Sequence, residues 1–308
     1  MGLPSFCRRH IQRLGLSLRK RRDRTTTAVR DFIRRGSDKE SEEIARKWRA
    51  GHCFPSFLLP ISDPTIMDRW SDLRRYPSPL DDEELVKQWI TQVRSHSMVT
   101  YDGMLSIASQ VRYCEENGLP GVYVETGCHR GGSSALMARA CLHYGKAPRP
   151  IHVFDSFEGL PQPDAAKDVD EWIAKEWGIP RELHTGKMVA SGGLTGASED
   201  DVRTVFKAVG YPLDHLHIHK GWFCDTLPVI VPQLDQIAIL RLDGDLYAST
   251  WDALTHLYPK VIEGGFVVID DYSITGARQA VTDYLKTLRR PPYISRADGT
   301  VFYFVKQA

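Results

Sequence analysis

Long apolar runs are missing from this 308-residue sequence. None approaches the ~20 consecutive apolar residues of a membrane-spanning helix, so no transmembrane segment is expected. No apolar core near the start is long enough for a secretory signal either. Cysteines are few: Cys7, Cys53, Cys114, Cys128, Cys141 and Cys224 lie scattered, without a C-x-x-C pair. That argues against a disulfide framework or a zinc site and suits a reducing compartment, with the cytoplasm as the expected location. The sequence also lacks a G-x-x-x-x-G-K-[ST] phosphate loop and any internal repeat. Net charge is only +1, but it is unevenly spread. Residues 1–35 hold eleven Arg or Lys against Asp23 and Asp31, a local excess of +9 that leaves −8 for the remainder. The mildly acidic remainder does not suit a general nucleic-acid binder. The basic start leaves organelle targeting or membrane-surface association open. Gly2 invites myristoylation, but Phe6 stands where that motif needs Ser or Thr.

What is present centres on residues 236–279. Two apolar, β-branched runs, Ile237–Leu242 and Phe266–Ile269, read as buried parallel strands separated by helix-like sequence. Each ends in carboxylates: Asp243 and Asp245 after the first, Asp270 and Asp271 after the second. Asp after a strand is also an ordinary helix cap or turn residue. Four acids at two matched strand ends, with Gly244 freeing the backbone between two of them, point instead to a site. Ligands bind beyond the carboxyl ends of strands in open α/β sheets. Neighbouring strands lie ~4.8 Å apart, so acids at both ends could converge on one cation. Carboxylate oxygens without a His or Cys cluster favour Mg²⁺, Mn²⁺ or Ca²⁺ over Zn²⁺.

The remaining chain supplies the scaffold. Residues 1–48 are expected to be a basic, partly disordered extension. Residues 49–100, rich in Pro and Trp, form an N-terminal segment that either packs on a larger body or closes over the crevice as a lid. A helix opens at Asp81-Asp82-Glu83-Glu84, and another spans Tyr101–Asn117 by its apolar period. G-V-Y-V-E-T-G-C-H-R-G-G-S-S-A-L then reads as strand, glycine turn and helix. His129 occupies the second glycine of a G-x-G-x-x-G, which disfavours a dinucleotide. An acid at the strand end, Glu125, and a looser turn suit a cationic cofactor such as S-adenosylmethionine. Asp155, ending the next strand, occupies the place of a ribose-binding acid. Residues 164–197 are expected to be a mobile surface loop, with Ser198 capping the helix that follows. Leu216–His219 reads as a third strand, and His215, His217 and His219 alternate so that at least two share one strand face, as surface residues of an edge strand or as a metal triad. Residues 292–306 read as a terminal hairpin turning at Asp298-Gly299. Six or seven strands with interleaved helices make one doubly wound α/β sandwich, mostly parallel, with a closing antiparallel hairpin.

The segments E-T-G-C-H-R-G-G, D-S-F-E-G-L-P-Q-P-D, K-G-W-F-C-D-T-L-P, L-R-L-D-G-D-L-Y and I-D-D-Y resemble, in this order, the macrocin O-methyltransferase family. The likeness covers about residues 98–290. It implies a class I methyltransferase sheet, with the methyltransferase domain over 101–308, and methylation of a sugar or glycoside hydroxyl by S-adenosylmethionine. It further implies Mg²⁺ held by Asp243, Asp270 and Asp271, with Asp245 as general base. Cofactor contacts are implied at Glu125, Thr126, Gly127, Ser133, Asp155, Ser156 and Ser198. His129 stands where the family usually has Trp, and Ala248 where an acid is common. The substrate is expected to be a small hydroxylated molecule, with homo-oligomerisation left open. A metal-dependent hydrolase or phosphotransferase could use the same acids, and a non-catalytic binding protein could keep the same fold. The missing phosphate loop argues against the first and the intact acids against the second.

Overall fold

Short β-branched runs bounded by turn residues form the central strands. The structure, a computed structural model, describes residues 80–170 and 197–307. The readings of residues 1–79 and 171–196 lie outside the described residues. In chain order come α1 (Glu83–Val93), α2 (Tyr101–Glu116), β1 (Val122–Thr126), α3 (Gly132–Tyr144), β2 (Ile151–Asp155) and α4 (Glu199–Ala208). They are followed by β3 (Leu216–Lys220), α5 (Phe223–Ile230), β4 (Ile237–Leu242), α6 (Tyr247–Leu257), β5 (Val261–Ile269), α7 (Thr275–Lys286), β6 (Ser295–Arg296) and β7 (Phe302–Val305). The sheet order is β3-β2-β1-β4-β5-β7-β6, parallel through β5 and antiparallel for β7 and β6. This is the class I α/β methyltransferase arrangement that the sequence implied. The chain runs outward from β1 to β3 and restarts at β4 beside β1, so the order reverses between β1 and β4. A ligand crevice belongs at that reversal, at the carboxyl ends of the strands.

Both faces of the sheet are covered. Met104, Ile107, Leu136 and Phe206 from α2 to α4 bury the face carrying Tyr123 and Ile239. Leu227, Leu254 and Val281 from α5 to α7 bury the face carrying Phe154, Leu240 and Val267. Helix α1 belongs to the first layer: Trp89 is buried, with the Arg139 guanidinium 4.8 Å over its ring. Residues 80–93 therefore pack on the body, which is one of the two roles expected for residues 49–100, while Met98 reaches the crevice. Among the described residues, no helix is long and apolar enough to cross a membrane.

Two local readings change. Residues 164–170, expected to open a mobile surface loop, are docked against the helix layer. Asp168 is 1% exposed and accepts hydrogen bonds from Tyr247 N at 2.9 Å and Asp164 N at 2.8 Å. Asp170 accepts from Thr275 N at 2.7 Å and Thr275 Oγ1 at 2.8 Å. One strap thus caps the N-termini of α6 and α7, where free N–H groups favour an anion. The histidines of β3 do lie on an edge strand. However, His217 stacks on His152 of β2, whose Nδ1 lies 3.0 Å from His219 Nε2.

Candidate active site

The wall of the crevice starts at the turn after β1. Gly127 has φ +81°, and a Cβ added there would stand 1.6 Å from the Asp243 carbonyl oxygen. Only glycine lets this turn lie against the end of β4. His129 is itself left-handed, at φ +49°, and its N–H donates to Asp155 Oδ2 at 2.7 Å. Phe157 N donates to Asp155 Oδ1 at 2.8 Å. The acid ending β2 thus ties the first two loops together. Burial pushes its carboxyl up to about 6, while those two N–H groups pull the other way. The cleft encloses about 700 Å³, its open mouth included. Its lining includes Gly127, Asp155 and Ser156, Trp222 and Phe223, and Asp243, Asp245, Ser249 and Asp252.

Beside that cleft the strand-end acids gather. β4 and β5 are hydrogen-bonded neighbours with Leu242 opposite Ile269, so Asp243 and Asp270 leave the sheet side by side. Asp243, Asp245 and Asp271 each offer a carboxylate oxygen within 4.8 Å of the other two, and all three are half-buried. Asp245 reaches this point through a left-handed backbone at φ +58°, and its N–H donates to Asp271 Oδ2 at 3.0 Å. Asp270 turns away to Arg241, with Nη2 to Oδ1 at 2.5 Å. Burial first, then mutual repulsion, raises the carboxyls of Asp245 and Asp271 well above the usual range. Burial pushes Asp270 up to about 7, with Arg241 opposing. Asp243 is raised by burial and likewise opposed by Arg241.

Sequence reasoning missed Arg241. It lies inside the apolar run of β4, is fully buried, and is met by three acids. Its Nη1 bonds Glu125 and, at 2.6 Å, Asp243. A buried cation persists only where carboxylates compensate it. A charged residue interrupting a buried strand was the available signal. Glu125, fully buried, also accepts from Ser133 Oγ at 2.6 Å and from Ser134 Oγ. Thr126 Oγ1 faces the Arg241 carbonyl oxygen at 3.5 Å. Glu125, Thr126 and Ser133 therefore lie behind the cleft wall, while Gly127, Asp155 and Ser156 are on it. Ser198 caps α4 through a reciprocal pair with Asp201 and lines a separate surface hollow with Arg203 and Lys220.

Comparison with known proteins places this geometry. The sequence profile described as "Macrocin-O-methyltransferase (TylF)" matches residues 80–306. The 8-demethyl-8-(2,3-dimethoxy-alpha-L-rhamnosyl)-tetracenomycin-C 4'-O-methyltransferase of Streptomyces olivaceus is 38% identical over 210 residues, 67% of this chain and 74% of that protein. The demethyldecarbamoylnovobiocin O-methyltransferase of Streptomyces niveus is 37% identical over 191 residues, 62% of this chain and 68% of that protein. Among solved structures, the O-methyltransferase NovP superposes with a TM-score of 0.56 at 32% identity, covering 69% of this chain and 83% of that one. The calicheamicin methyltransferase CalS11, with a TM-score of 0.52 at 20% identity over 79% of this chain and 93% of that one, shares the fold. The chain belongs to the macrocin O-methyltransferase family, and is an enzyme that methylates hydroxyl groups.

Proposed function

We propose that the chain transfers the methyl group of S-adenosylmethionine to a hydroxyl of a sugar or glycoside, with a divalent cation at the acid cluster and Asp245 as base. The observation that carries this reading is the convergence of Asp243, Asp245 and Asp271 beside the cleft. The donor set fits a hard cation: three half-buried carboxylates, all raised by burial, with Asp243 further raising Asp245 and both of these raising Asp271, are stable together only with protons or a cation among them. Asp243 and Asp271 belong to that set in the geometry. Asp270, the third ligand implied by the resemblance, stands next to Asp271 and shares Arg241 with Asp243. The names of two relatives agree on substrate class, since one acts at the 4' oxygen of a rhamnosyl group and another is a mycinamicin III 3''-O-methyltransferase.

Methyl transfer is a displacement, and most of its catalysis can come from holding the hydroxyl in line with the methyl group. The Gly127 turn and Asp155 position the donor along the β1 and β2 ends. Asp243 and Asp271 would hold the ion, at the acceptor end of the cleft. A bound Mg²⁺ would lower the pKa of a coordinated hydroxyl. Asp245, past Gly244 on the same wall, takes the hydroxyl proton as the new carbon–oxygen bond forms. S-adenosylhomocysteine leaves once the carbon–sulfur bond has broken. Arg241 holds Asp243 and Asp270 in place without touching the substrate.

The test is transfer of label from methyl-labelled S-adenosylmethionine to a pool of glycosides. Wild type should label a glycoside, and Asp245→Asn should lower turnover by about 10²–10⁴, the usual share of a general base. That loss should shrink as pH rises, because hydroxide can stand in for the carboxylate. Undiminished turnover in Asp245→Asn removes the base assignment. No label in any glycoside removes the substrate class.

A further inference from the structure

Both helices that follow the strand-end acids begin on residues that cannot cap them. Leu246 precedes α6 and Ile274 precedes α7, and neither side chain can accept from the first free N–H groups. The acceptors come from a distant strap: Asp168, 79 positions from Tyr247, and Asp170, 105 positions from Thr275. Asp170 takes two hydrogen bonds from one residue, with Thr275 N donating to Oδ2 at 2.7 Å and Thr275 Oγ1 to Oδ1 at 2.8 Å. Lys167 adds a third hold, its Nζ lying 4.2 Å from the centre of the Tyr247 ring and 3.9 Å from Asp283 Oδ2 on α7.

These contacts lie next to the acids. Asp245 is two residues before Tyr247, and its left-handed backbone, φ +58°, persists in a non-glycine residue only where the surroundings fix it. On one side its N–H donates to Asp271 Oδ2 at 3.0 Å, and on the other Tyr247 N is bonded to Asp168. Asp271 opens the turn into α7, where Ile274 N donates to its carbonyl oxygen at 2.9 Å and Asp170 holds the next residue, Thr275. Asp168 and Asp170 are two residues apart, a reach of at most about 7 Å. One short strap therefore sets the start of α6 against the start of α7. Both anchors converge on the Asp271 carboxylate, one through the Asp245 N–H and the other through the turn that carries Asp271.

We infer that Asp168 and Asp170 are positioning residues for the cation site, aiming the Asp271 carboxylate into the acid cluster through α6 and α7. This assignment rests on the cation reading of that cluster proposed above. Residues that orient metal ligands commonly carry about 10–100-fold of metal affinity. A cap that served stability alone would leave the cation affinity of the folded protein unchanged.

The test is calorimetric titration of Mg²⁺, and separately of S-adenosylhomocysteine, into the full chain and into Asp168→Ala, Asp170→Ala and Asp170→Asn. Thermal melts confirm that each variant is folded at the titration temperature. Asparagine at 170 can accept from Thr275 N and donate to Thr275 Oγ1, so it keeps both contacts and drops only the charge. Each alanine variant should bind Mg²⁺ at least about tenfold more weakly, with its S-adenosylhomocysteine affinity unchanged. Asp170→Asn should keep the Mg²⁺ affinity of wild type. Folded alanine variants with unchanged Mg²⁺ affinity overturn the assignment and leave the strap as a stabilising cap. Asp170→Asn as weak as Asp170→Ala also overturns it, since charge rather than position would then act. Equal loss of both ligands overturns it too, as a general loosening of the cleft. A wild type that binds S-adenosylhomocysteine but no Mg²⁺ removes the cation reading itself, and this assignment with it.

Discussion

Gly127 lies so close to the end of β4 that a single added carbon would stand 1.6 Å from the Asp243 carbonyl oxygen. The Gly127 turn and Asp243, the first acid of the proposed cation cluster, are thus one packed unit. Gly127→Ala meets both that clash and an unfavourable backbone angle of φ +81°. It should cost at least about 2 kcal/mol of stability and weaken both S-adenosylhomocysteine and cation binding. Chemical denaturation and calorimetry check this. A variant as stable as wild type, with both affinities intact, would show that the turn moves independently of β4.

Arg241 is the internal counter-ion of three carboxylates from three segments, Glu125, Asp243 and Asp270. Arg241→Met keeps much of the side chain's bulk but leaves those acids uncompensated. Breaking a buried ion pair from one side typically costs about 3–5 kcal/mol. Urea denaturation at neutral pH should show a loss of that order. A loss below about 1 kcal/mol would mean that the acids release their charge by taking up protons, without needing the guanidinium.

Asp168 and Asp170 anchor one strap to two helix N-termini. Gly276 leaves room for this, since a Cβ there would stand 1.8 Å from Asp168 Oδ1. Asp168→Ala and Asp170→Ala should each destabilise the fold by about 0.5–2 kcal/mol, the range for a lost helix cap. Hydrogen exchange should localise the change to the first turns of α6 and α7. Protection unchanged at Tyr247 and Thr275 would contradict the capping role.

The histidine group on the sheet edge gives a pH signature. Burial, and then His217 and His219, lower the pKa of His152 to about 3, while burial and His217 lower that of His219 to about 4. Between those values and the ordinary ~6.5, the unfolded chain binds protons that the folded chain does not, so stability rises with pH across the window. The contribution is complete above pH 6.5 and is lost as the pH falls towards 3 and 4. Unfolding free energies measured from pH 7 to 5 should fall less steeply in His152→Gln/His219→Gln than in wild type. Equal slopes would remove these imidazoles from the acid response.

The sheet was legible because its signals are local. The apolar run Ile237–Leu242 forms β4 with those ends, and Asp298 turns the terminal hairpin by accepting from Thr300 N and Val301 N at 2.7 and 2.6 Å. The start of β5 was not legible. Glu263-Gly264-Gly265 interrupts the apolar pattern, Gly264 has φ +80°, and the register with β4 shifts nearby. Within the site, the strand-end acids could be read from their spacing. Which of them face one another could not, because that depends on the left-handed turn at Asp245 and on Arg241, a residue 29 positions from Asp270. Glu125 shows the same limit. A strand-end acid reads alike whether it faces the ligand or, as here, a buried arginine behind it. The docking of Asp168 on Tyr247 spans 79 positions, and sequence pattern carries no trace of a pairing so distant.

The acids closing β4 and β5 are proposed to hold a divalent cation that methyl transfer requires. The most direct measurement is the rate of label transfer from S-adenosylmethionine to a glycoside, in protein stripped with chelator and then titrated with Mg²⁺. Stripped wild type should lose activity and regain it on titration. Asp271→Asn should need at least about tenfold more Mg²⁺ to regain a fraction of it, while still binding S-adenosylhomocysteine. A stripped enzyme that transfers methyl groups at the undiminished rate, with Mg²⁺ having no effect on wild type or Asp271→Asn, would contradict the account.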